Sequence, residues 1–407
     1  MPRPTSWQAR VKALNALYSP AAPINSEKFF YGRKVQLNRI HETVGERGLH
    51  VAIYGERGVG KTSLANIVEQ QYLGAVTSKV TCNTESTLAG LWKTTFKRIP
   101  VSFHAKTPIG FNPTEKEESC VQQIGSIADL LDPNQRIDVD DITSYFDYIR
   151  ASELDFLLIF DEFDQIGDRA VVKAFANIIK YLSDTIPNVT IMTVGIGRSI
   201  TDLIGEHQSV ERCIRQVPLE RMSDIELAEI VTTATKQLGM SMEKAVQEKI
   251  VSYSSGFPHY THLLGKYTTL QALNAQRPNI TDKDFTKAMI HALENVNESI
   301  RHAYETAVLS SKEDALFQDV LYACAMTPAD EHGTFRATDL EHFFHNTLKT
   351  EKPVQAFQYH LGRLCSKERG AVLEKVAVGR TRARYRFVNP LFRAYLRLRF
   401  HQSRESH

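Results

Sequence analysis

The sequence predicts an α/β protein in which a parallel sheet with helices on both faces is followed by a helical lid and a C-terminal winged helix-turn-helix. Three observations predict this fold class. An apolar run at 51–54 stops at a glycine and passes through GERGVGKT into a helical pattern. The run LDFLLIFDEFD at 154–164 is continuously apolar and then acidic, which is typical of a parallel strand buried on both faces. The last hundred residues alternate between three helical patterns and a strand hairpin.

The composition is that of a globular protein. Apolar residues make up 42% and charged residues 24% of the 407 positions, which argues against disorder and membrane insertion. No apolar run approaches the roughly 20 residues that a spanning helix needs, and the first residues show no apolar signal segment. The five cysteines form no C-x-x-C pair, which argues against a disulfide framework or a zinc site. We therefore expect a cytoplasmic protein with no membrane partner.

Charge is distributed unevenly along the chain. The net charge of +2 conceals a C-terminal segment, from Leu361 onward, with 12 Lys/Arg against 3 Asp/Glu. This excess predicts an acidic partner for that end of the chain, nucleic acid first among them. A solvated basic face is the alternative.

The first predicted elements are a helix and a linker, which together span 1–28. Trp7, Val11 and Leu14 lie at helical spacing ahead of a Ser-Pro-Ala-Ala-Pro break. The sequence FFYGR at 29–33 then predicts a turn that leads into a helix before the first strand.

The first strand leads into a phosphate-binding loop. Gly55, Gly58 and Gly60 let the backbone turn so that successive N–H groups point at a polyphosphate. Lys61 adds a positive charge, and Thr62 supplies a hydroxyl of the kind that holds Mg²⁺ where the next helix begins. The alternative is a chance match in a structural loop, against which the preceding strand and the following helix argue. The predicted binding residues are Gly55, Glu56, Arg57, Gly58, Val59, Gly60, Lys61, Thr62 and Ser63.

A long insertion interrupts the next part of the chain. After a predicted strand at 78–83 and a helix at 85–97, the pattern degenerates from Ile99 to Asp141. Compact folds rarely use so many residues for one connection, so the insertion is either functional or partly mobile. A helix is predicted again at 142–150.

Two acids follow the second apolar run. The carboxyl ends of parallel strands lie beside the phosphate loop, so Asp161 is predicted to hold Mg²⁺ and Glu162 to polarise the attacking water. The alternative is that acids here simply favour a helix N-terminus. That alternative explains Asp164 and Asp168, but it does not explain two acids directly after a buried strand.

Three arginines are candidates for sensing the nucleotide. A β-branched strand at 187–194 ends in GIGRS, so Arg198 is predicted at the tip of the strand that touches the γ-phosphate or its water. A last strand ends at Leu219, and Arg212 or Arg215 precedes its end. Either arginine is predicted to serve an adjacent subunit as a finger, with a surface ion pair as the alternative.

The region from 220 to 300 is predicted to be a helical lid. Ser223 begins its first helix as an N-cap, with Glu226 in capping-box register. Gly239 ends that helix, and the sequence GFPH at 256–259 breaks the region before a third helix. A lid of this kind allows the state of a bound nucleotide to be felt elsewhere.

The segment 301–407 is predicted to be a winged helix-turn-helix. Arginines at alternating positions of a strand hairpin face one side, where they are able to straddle a phosphate backbone. Such modules also serve as packing units, which is the alternative. The predicted DNA-binding residues are Arg363, Arg380, Arg382, Arg384 and Arg386.

Together these stretches resemble the AAA+ ATPases of the origin-recognition and archaeal initiator type, and the related STAND nucleotide switches. GERGVGKT is similar to the Walker A loop of these P-loop NTPases and LLIFDEFD to their Walker B strand. The resemblance implies that Tyr31, Gly32 and Arg33 wrap the adenine, as in the family's F-x-G-R motif. It also implies nucleotide sensing by Arg198 and by Pro258 and His259, whose GFPH turn is closer to the STAND pattern. By the same resemblance, Arg212 lies approximately at the family's arginine-finger position.

The prediction is therefore a Mg²⁺-dependent ATPase that acts as a slow molecular switch, with a nucleotide-binding domain at 29–219. Lys61, Glu162, Arg198 and Arg212 are its candidate catalytic residues, and Thr62 with Asp161 its metal ligands. ATP and ADP are the expected ligands, with DNA as partner of the winged helix and self-association in the ATP state. The alternative is a STAND-like switch in a signalling or defence assembly that acts through protein partners.

Overall fold

The structure is a computed structural model. It describes residues 6–20, 22–72, 74–106, 120–130, 137–150, 154–197, 208–294, 298–309, 316–330, 333–347, 353–378 and 382–405. By its internal contacts the chain divides into a sheet unit, Ile24–Glu56 with Lys61–Leu219, and a lid unit, Met1–Pro23 with Arg57–Gly60 and Glu220–His407.

The strands and helices of the described residues are numbered in chain order. The strands are β1 His50–Gly55, β2 Val76–Thr81, β3 Pro100–Lys106, β4 Cys120–Ser126, β5 Phe156–Asp161, β6 Val189–Ile196, β7 Ile214–Pro218, β8 Ser241–Met242, β9 Asn279–Ile280, β10 Phe335–Arg336, β11 Leu373–Val378 and β12 Arg382–Phe387. The α-helices are α1 Trp7–Leu17, α2 Lys34–Val44, α3 Lys61–Gln71, α4 Leu88–Phe96, α5 Val139–Arg150, α6 Arg169–Thr185, α7 Gln208–Glu211, α8 Asp224–Gln237, α9 Lys244–Ser254, α10 Pro258–Asn274, α11 Asp282–Glu294, α12 Glu298–Val308, α13 Phe317–Met326, α14 Glu341–Asn346, α15 Val354–Leu364 and α16 Pro390–Glu405.

A five-stranded parallel sheet organises the sheet unit. Its strand order is β2-β5-β6-β1-β7, which confirms the predicted α/β fold. All six residues of β5 are buried, as its unbroken apolar sequence requires of a strand covered on both faces. The register pairs Thr81 with Asp161 and Tyr54 with Gly195, so the carboxyl ends of β1, β2, β5 and β6 form one edge.

An aromatic cluster holds helices against one face of this sheet. The Trp92 ring lies 5.4 Å from the rings of Phe146 and Phe160 and 5.5 Å from that of Phe175, measured between centroids. These rings come from α4, α5, β5 and α6, so burial of one tryptophan joins three helices to β5. The position of β5, and hence of the acids that follow it, depends on this packing.

The insertion contains more regular structure than its sequence pattern indicates. Strands β3 and β4 pair antiparallel, from Pro100 opposite Ser126 to Lys106 opposite Cys120. Helix α5 begins at Val139 and not at Ile142, because the Asp138 carboxylate accepts from the Asp141 N–H at 2.9 Å and supplies an earlier cap. The prediction of an irregular stretch up to Asp141 was therefore wrong at both of its ends.

The lid helices occur where the sequence predicts them. Ser223 and Glu226 form the expected capping box at the start of α8. Helix α1 packs on α10 within the same unit, where Tyr18 lies so close to Gly265 that an added Cβ would be 2.5 Å from its ring. Among the described residues, no helix is long and apolar enough to cross a membrane.

The C-terminal module comprises residues 298–405. Helices α13, α14 and α15 precede the hairpin of β11 and β12, in the predicted order of elements. Strand β10, which lies between α13 and α14 in the chain, pairs with β12 and completes a three-stranded sheet of order β10-β12-β11. Two helices were missed by the sequence prediction, α12 at 298–308 and α16 at 390–405. Phe392, Tyr395 and Leu396 of α16 are buried in the core of the module. The run LFRAYLRLRF carries these residues at helical spacing, and this was the signal that was available.

Candidate functional site

The loop between β1 and α3 needs glycine for two different reasons. At Gly55, a Cβ would lie 2.2 Å from the backbone oxygen of Leu219, so no side chain fits there. Gly58 and Gly60 have φ of +88° and +96°, in the region that residues with a Cβ rarely enter. Gly60 and Pro258 belong to the lid unit, and a Cβ on Gly60 would lie 3.9 Å from the proline ring.

Lys61 is folded back onto this loop. Its ammonium donates to the backbone oxygens of Gly55 at 3.0 Å and Glu56 at 2.8 Å. Ser63 is tied to the preceding chain, since its hydroxyl accepts from the Ile24 N–H at 3.1 Å. Val59 is buried, while Arg57 is exposed. Lys61 thus holds the start of the loop, and Ser63 ties the beginning of the following helix to the backbone at Ile24.

Asp161 receives donors on both carboxylate oxygens. The Thr62 hydroxyl donates to its Oδ1 at 3.3 Å and the Glu162 N–H at 3.0 Å, while Lys79 Nζ lies 3.1 Å from Oδ2. Asp161 is 3% exposed. A hydroxyl oxygen and a carboxylate oxygen this close are the hard oxygen ligands that Mg²⁺ prefers, so the residues present fit that ion.

Glu162 follows the strand in a strained conformation. Its φ of 56° is left-handed, and its side chain is exposed. Non-glycine residues in this region cost about 1–3 kcal/mol and cluster at functional sites. The neighbouring acids have structural roles, because Asp164 accepts from the Ile196 N–H at 2.7 Å and Asp168 caps α6 through the Ala170 N–H at 2.8 Å.

Cys82 also lies at this edge, although no sequence motif includes it. It follows β2, and its N–H donates to the backbone oxygen of Asp161 at 2.7 Å. Burial raises the pKa of its thiol to about 12, and the negative charges of Asp161, Asp164 and Glu162 add to the effect. The thiol therefore stays protonated.

The F-x-G-R segment makes a tight turn. Gly32 and Arg33 both have positive φ, 70° and 62°, and Arg33 is buried although it carries a charge. Tyr31 is half-buried. Helix α2 begins directly after Arg33, so the turn sets where this helix starts.

The GFPH turn begins α10, with Pro258 at the first helical position. His259 Nδ1 lies 2.7 Å from the backbone oxygen of Pro20, and burial lowers the pKa of its imidazole. Gly256 has φ +83°, and a Cβ there would lie 2.6 Å from the Arg221 side chain. The turn is therefore fixed both by the N-terminal segment and by Arg221.

The candidate sensing arginines are not gathered at the sheet edge in the described structure. Arg198 lies outside the described residues. Arg212 is 3.7 Å from Asp184, and Arg215 is 3.7 Å from Glu46, in exposed ion pairs. Such pairs stabilise a fold by at most about 1 kcal/mol, which leaves both arginines available to a partner.

The predicted DNA-binding arginines are mostly paired with acids of the same module. Arg363 lies 2.5 Å from Glu368, Arg384 pairs with Asp330, and Arg386 pairs with Glu374. Arg380 and the side chain of Arg382 lie outside the described residues.

The basic residues of α16 are also used internally. Arg393 is 5% exposed and donates to the backbone oxygens of Ala325 and Thr327. Arg399 lies over the Tyr304 ring, 4.3 Å from its centroid. Much of the C-terminal positive charge is therefore engaged inside the module.

Comparisons with known proteins agree with this architecture. The chain is similar to a solved Walker-type ATPase of Pyrococcus abyssi, with 17% identity and a TM-score of 0.53 over 94% of this chain and 99% of that one. It is also similar to Cdc6p of Pyrobaculum aerophilum, with 11% identity and a TM-score of 0.48 over 96% and 98% of the two chains. Among curated proteins, no sequence matches. A family model described as Novel STAND NTPase 1 matches residues 23–376.

Proposed function

The chain belongs to the Novel STAND NTPase 1 family, and on that premise we propose that it is an ATP-hydrolysing molecular switch. Its lid would pass the nucleotide state to the C-terminal module, which acts through partner proteins. The observation that carries the proposal is the approach of Thr62 Oγ1 to Asp161 Oδ1 at 3.3 Å. These two residues are 99 positions apart in sequence. In the proposal, they are the two side chains that would bind the Mg²⁺ of a magnesium nucleotide.

Each residue at this edge has a distinct role in the proposal. Bound Mg²⁺ would offset the charge that develops on the transferred phosphoryl group, and Thr62 with Asp161 would hold it. Lys61 exchanges the backbone oxygens of Gly55 and Glu56 for phosphate oxygens when nucleotide enters. Glu162, exposed directly after the strand, orients and polarises the attacking water. Tyr31, Gly32 and Arg33 form the proposed adenine site.

Arg397 provides the proposed coupling within the lid unit. Its guanidinium in α16 donates to the Ser252 backbone oxygen and the Ser255 hydroxyl, both at 3.2 Å, and to the Ala325 backbone oxygen at 2.8 Å. Ser255 has φ +52° and directly precedes the GFPH turn. In the proposal, a change at Pro258 and His259 is passed to α16 through Arg397.

The ion pairs that the wing arginines already form favour a protein partner over DNA. Arg384 and Arg386 lie on the predicted wing, where each is already paired with a carboxylate of the module. Binding a phosphate backbone would require these pairs to be exchanged, with little net gain in charge neutralisation. DNA binding remains the second candidate, because 12 Lys/Arg against 3 Asp/Glu from Leu361 onward leave a net charge of +9.

The experiment that tests the switch compares ATP binding and hydrolysis in the wild type and in Lys61→Ala. We expect the variant to lose ATP affinity at least about hundredfold, because the charge that contacts the phosphates is removed. Lys34→Ala, in the exposed first turn of α2, is the matched control and should bind as the wild type does. Equal affinity in the wild type and Lys61→Ala would contradict the site.

The same preparation separates the two candidate outputs. Size measurements with ADP and with a non-hydrolysable ATP analogue are expected to show ATP-dependent self-association without DNA. A salt-sensitive gel shift that is lost when Arg384 and Arg386 are both changed to alanine would instead favour the DNA reading.

A further inference from the structure

Lys79 is a partner of the Asp161 carboxylate that neither the phosphate-loop motif nor the acidic strand tip includes. It lies on β2, the strand next to β5, and its ammonium is 3.1 Å from Asp161 Oδ2. The Lys79 side chain is 15% exposed and that of Asp161 4%. This is a partly buried ion pair at the carboxylate to which the proposed function assigns the metal.

A polar chain fixes the position of the ammonium. Lys79 Nζ also donates to Asn66 Oδ1, and Asn66 lies one helical turn after Thr62 on α3. Asn66 in turn donates from its amide to Asn25 Oδ1 at 2.5 Å. The lysine is thus held both by Asp161 and by Asn66 of the helix that begins at the phosphate loop.

The two oxygens of Asp161 are used differently. Oδ1 accepts from the Thr62 hydroxyl and from a backbone N–H, which are neutral donors, while Oδ2 faces the only formal positive charge recorded at this carboxylate in the described structure. A buried carboxylate without a cation is costly, so Lys79 supplies the charge before any metal is present. A divalent cation that then approaches Asp161 meets the field of the ammonium.

From this geometry we propose that Lys79 is a positioning residue that acts as a built-in counter-ion of Asp161, and that it sets the Mg²⁺ concentration at which nucleotide binds. The proposal rests on the proposed function, because it assumes that Asp161 receives the metal of a bound nucleotide. The resident ammonium weakens the site for Mg²⁺. It keeps the nucleotide-free state charge-balanced, and it makes productive binding depend on Mg²⁺ and nucleotide arriving together.

The test measures the binding of a fluorescent ATP analogue while Mg²⁺ is titrated. It compares the wild type with Lys79→Met and with the control variant Lys97→Met. Methionine keeps much of the length of the side chain but removes its charge, and Lys97 is exposed at the end of α4. For Lys79→Met we expect the Mg²⁺ midpoint to fall about tenfold, because the repulsion is removed. Binding of the analogue in EDTA should weaken, since a positive charge near the phosphates is lost.

The opposite signs of these two effects distinguish the proposal from a purely structural role. A folding defect would weaken binding with and without Mg²⁺, and that parallel loss would overturn the proposal, as would an unchanged midpoint. Lys79→Arg, which retains the charge, should keep the midpoint of the wild type.

A measurement with Mg²⁺ but without nucleotide distinguishes failure of this inference from failure of the proposed function. If the wild type binds no ATP analogue, the proposed function fails, and thermal unfolding without nucleotide still tests Lys79. Added Mg²⁺ should then raise the melting temperature of Lys79→Met more than that of the wild type. Equal shifts in the two proteins would overturn the inference.

Discussion

The carboxyl edge of the parallel sheet and the C-terminal module are both rich in charged residues, but these residues are paired differently in the two regions. At the sheet edge, Asp161 is buried with Thr62 and Lys79, while Glu162 is left exposed beside it. In the module, arginines pair with local carboxylates and backbone oxygens. In our proposal the first arrangement prepares ligands for a magnesium nucleotide, whereas the second stabilises a fold.

This difference shows that a motif and a charge count carry unequal information. A motif such as GERGVGKT specifies residue types at fixed spacing, and the backbone geometry follows from its glycines. A net charge of +9 specifies no geometry at all, since each arginine finds its own partner once the chain folds. Three variants test the contrast, beginning with the largest expected effect.

Glu162→Gln should separate chemistry from binding at the sheet edge. The amide keeps the shape of the side chain but cannot polarise water, so we expect hydrolysis to fall about a thousandfold while ATP affinity changes little. The measurement is single-turnover hydrolysis beside equilibrium binding. Glu85→Gln, an exposed glutamate after β2, is the control. An undiminished rate in Glu162→Gln would remove the glutamate from the mechanism.

Gly55→Ala should damage the fold at the start of the phosphate loop. The new methyl group would be placed 2.2 Å from the backbone oxygen of Leu219, so the end of β1 must move. We expect the free energy of unfolding to fall by about 3 kcal/mol in chemical denaturation. Gly74→Ala is the matched control, since a Cβ at Gly74 meets nothing within 4 Å. Equal stability of Gly55→Ala and Gly74→Ala would show that Gly55 is not packed tightly against the backbone of Leu219.

Arg393→Met should reveal how strongly the C-terminal module depends on its internal arginines. The Thr327 backbone oxygen loses its arginine donor and the Ala325 oxygen keeps only that of Arg397, so we expect the free energy of unfolding to fall by about 2 kcal/mol. Arg363→Met removes a more exposed ion pair and should cost less than about 1 kcal/mol. A larger loss of stability in Arg363→Met than in Arg393→Met would show that the buried contacts of Arg393 are not what stabilises the module.

Much of the fold could be predicted from the sequence because its signals are local. The continuous apolar run of β5, the capping box at Ser223 and the GFPH turn each depend on residues a few positions apart. The resemblance to STAND nucleotide switches is confirmed for the same reason, since glycine spacing and an acidic strand tip are read directly from the chain. The assignments of Lys61, Glu162 and His259 to nucleotide chemistry stay predictions.

Tertiary structure alone decided which charges meet. Lys79 lies 82 positions before Asp161, and only the pairing of β2 with β5 brings them to 3.1 Å. The partners of Arg384, Arg386 and Arg393 were likewise settled by packing, because ion pairs depend on distances that no periodicity encodes. The sequence by itself determined the phosphate loop and the sheet that carries it, while the folded chain determined that Asp161 is already neutralised and that the basic C-terminus is largely engaged within its own module.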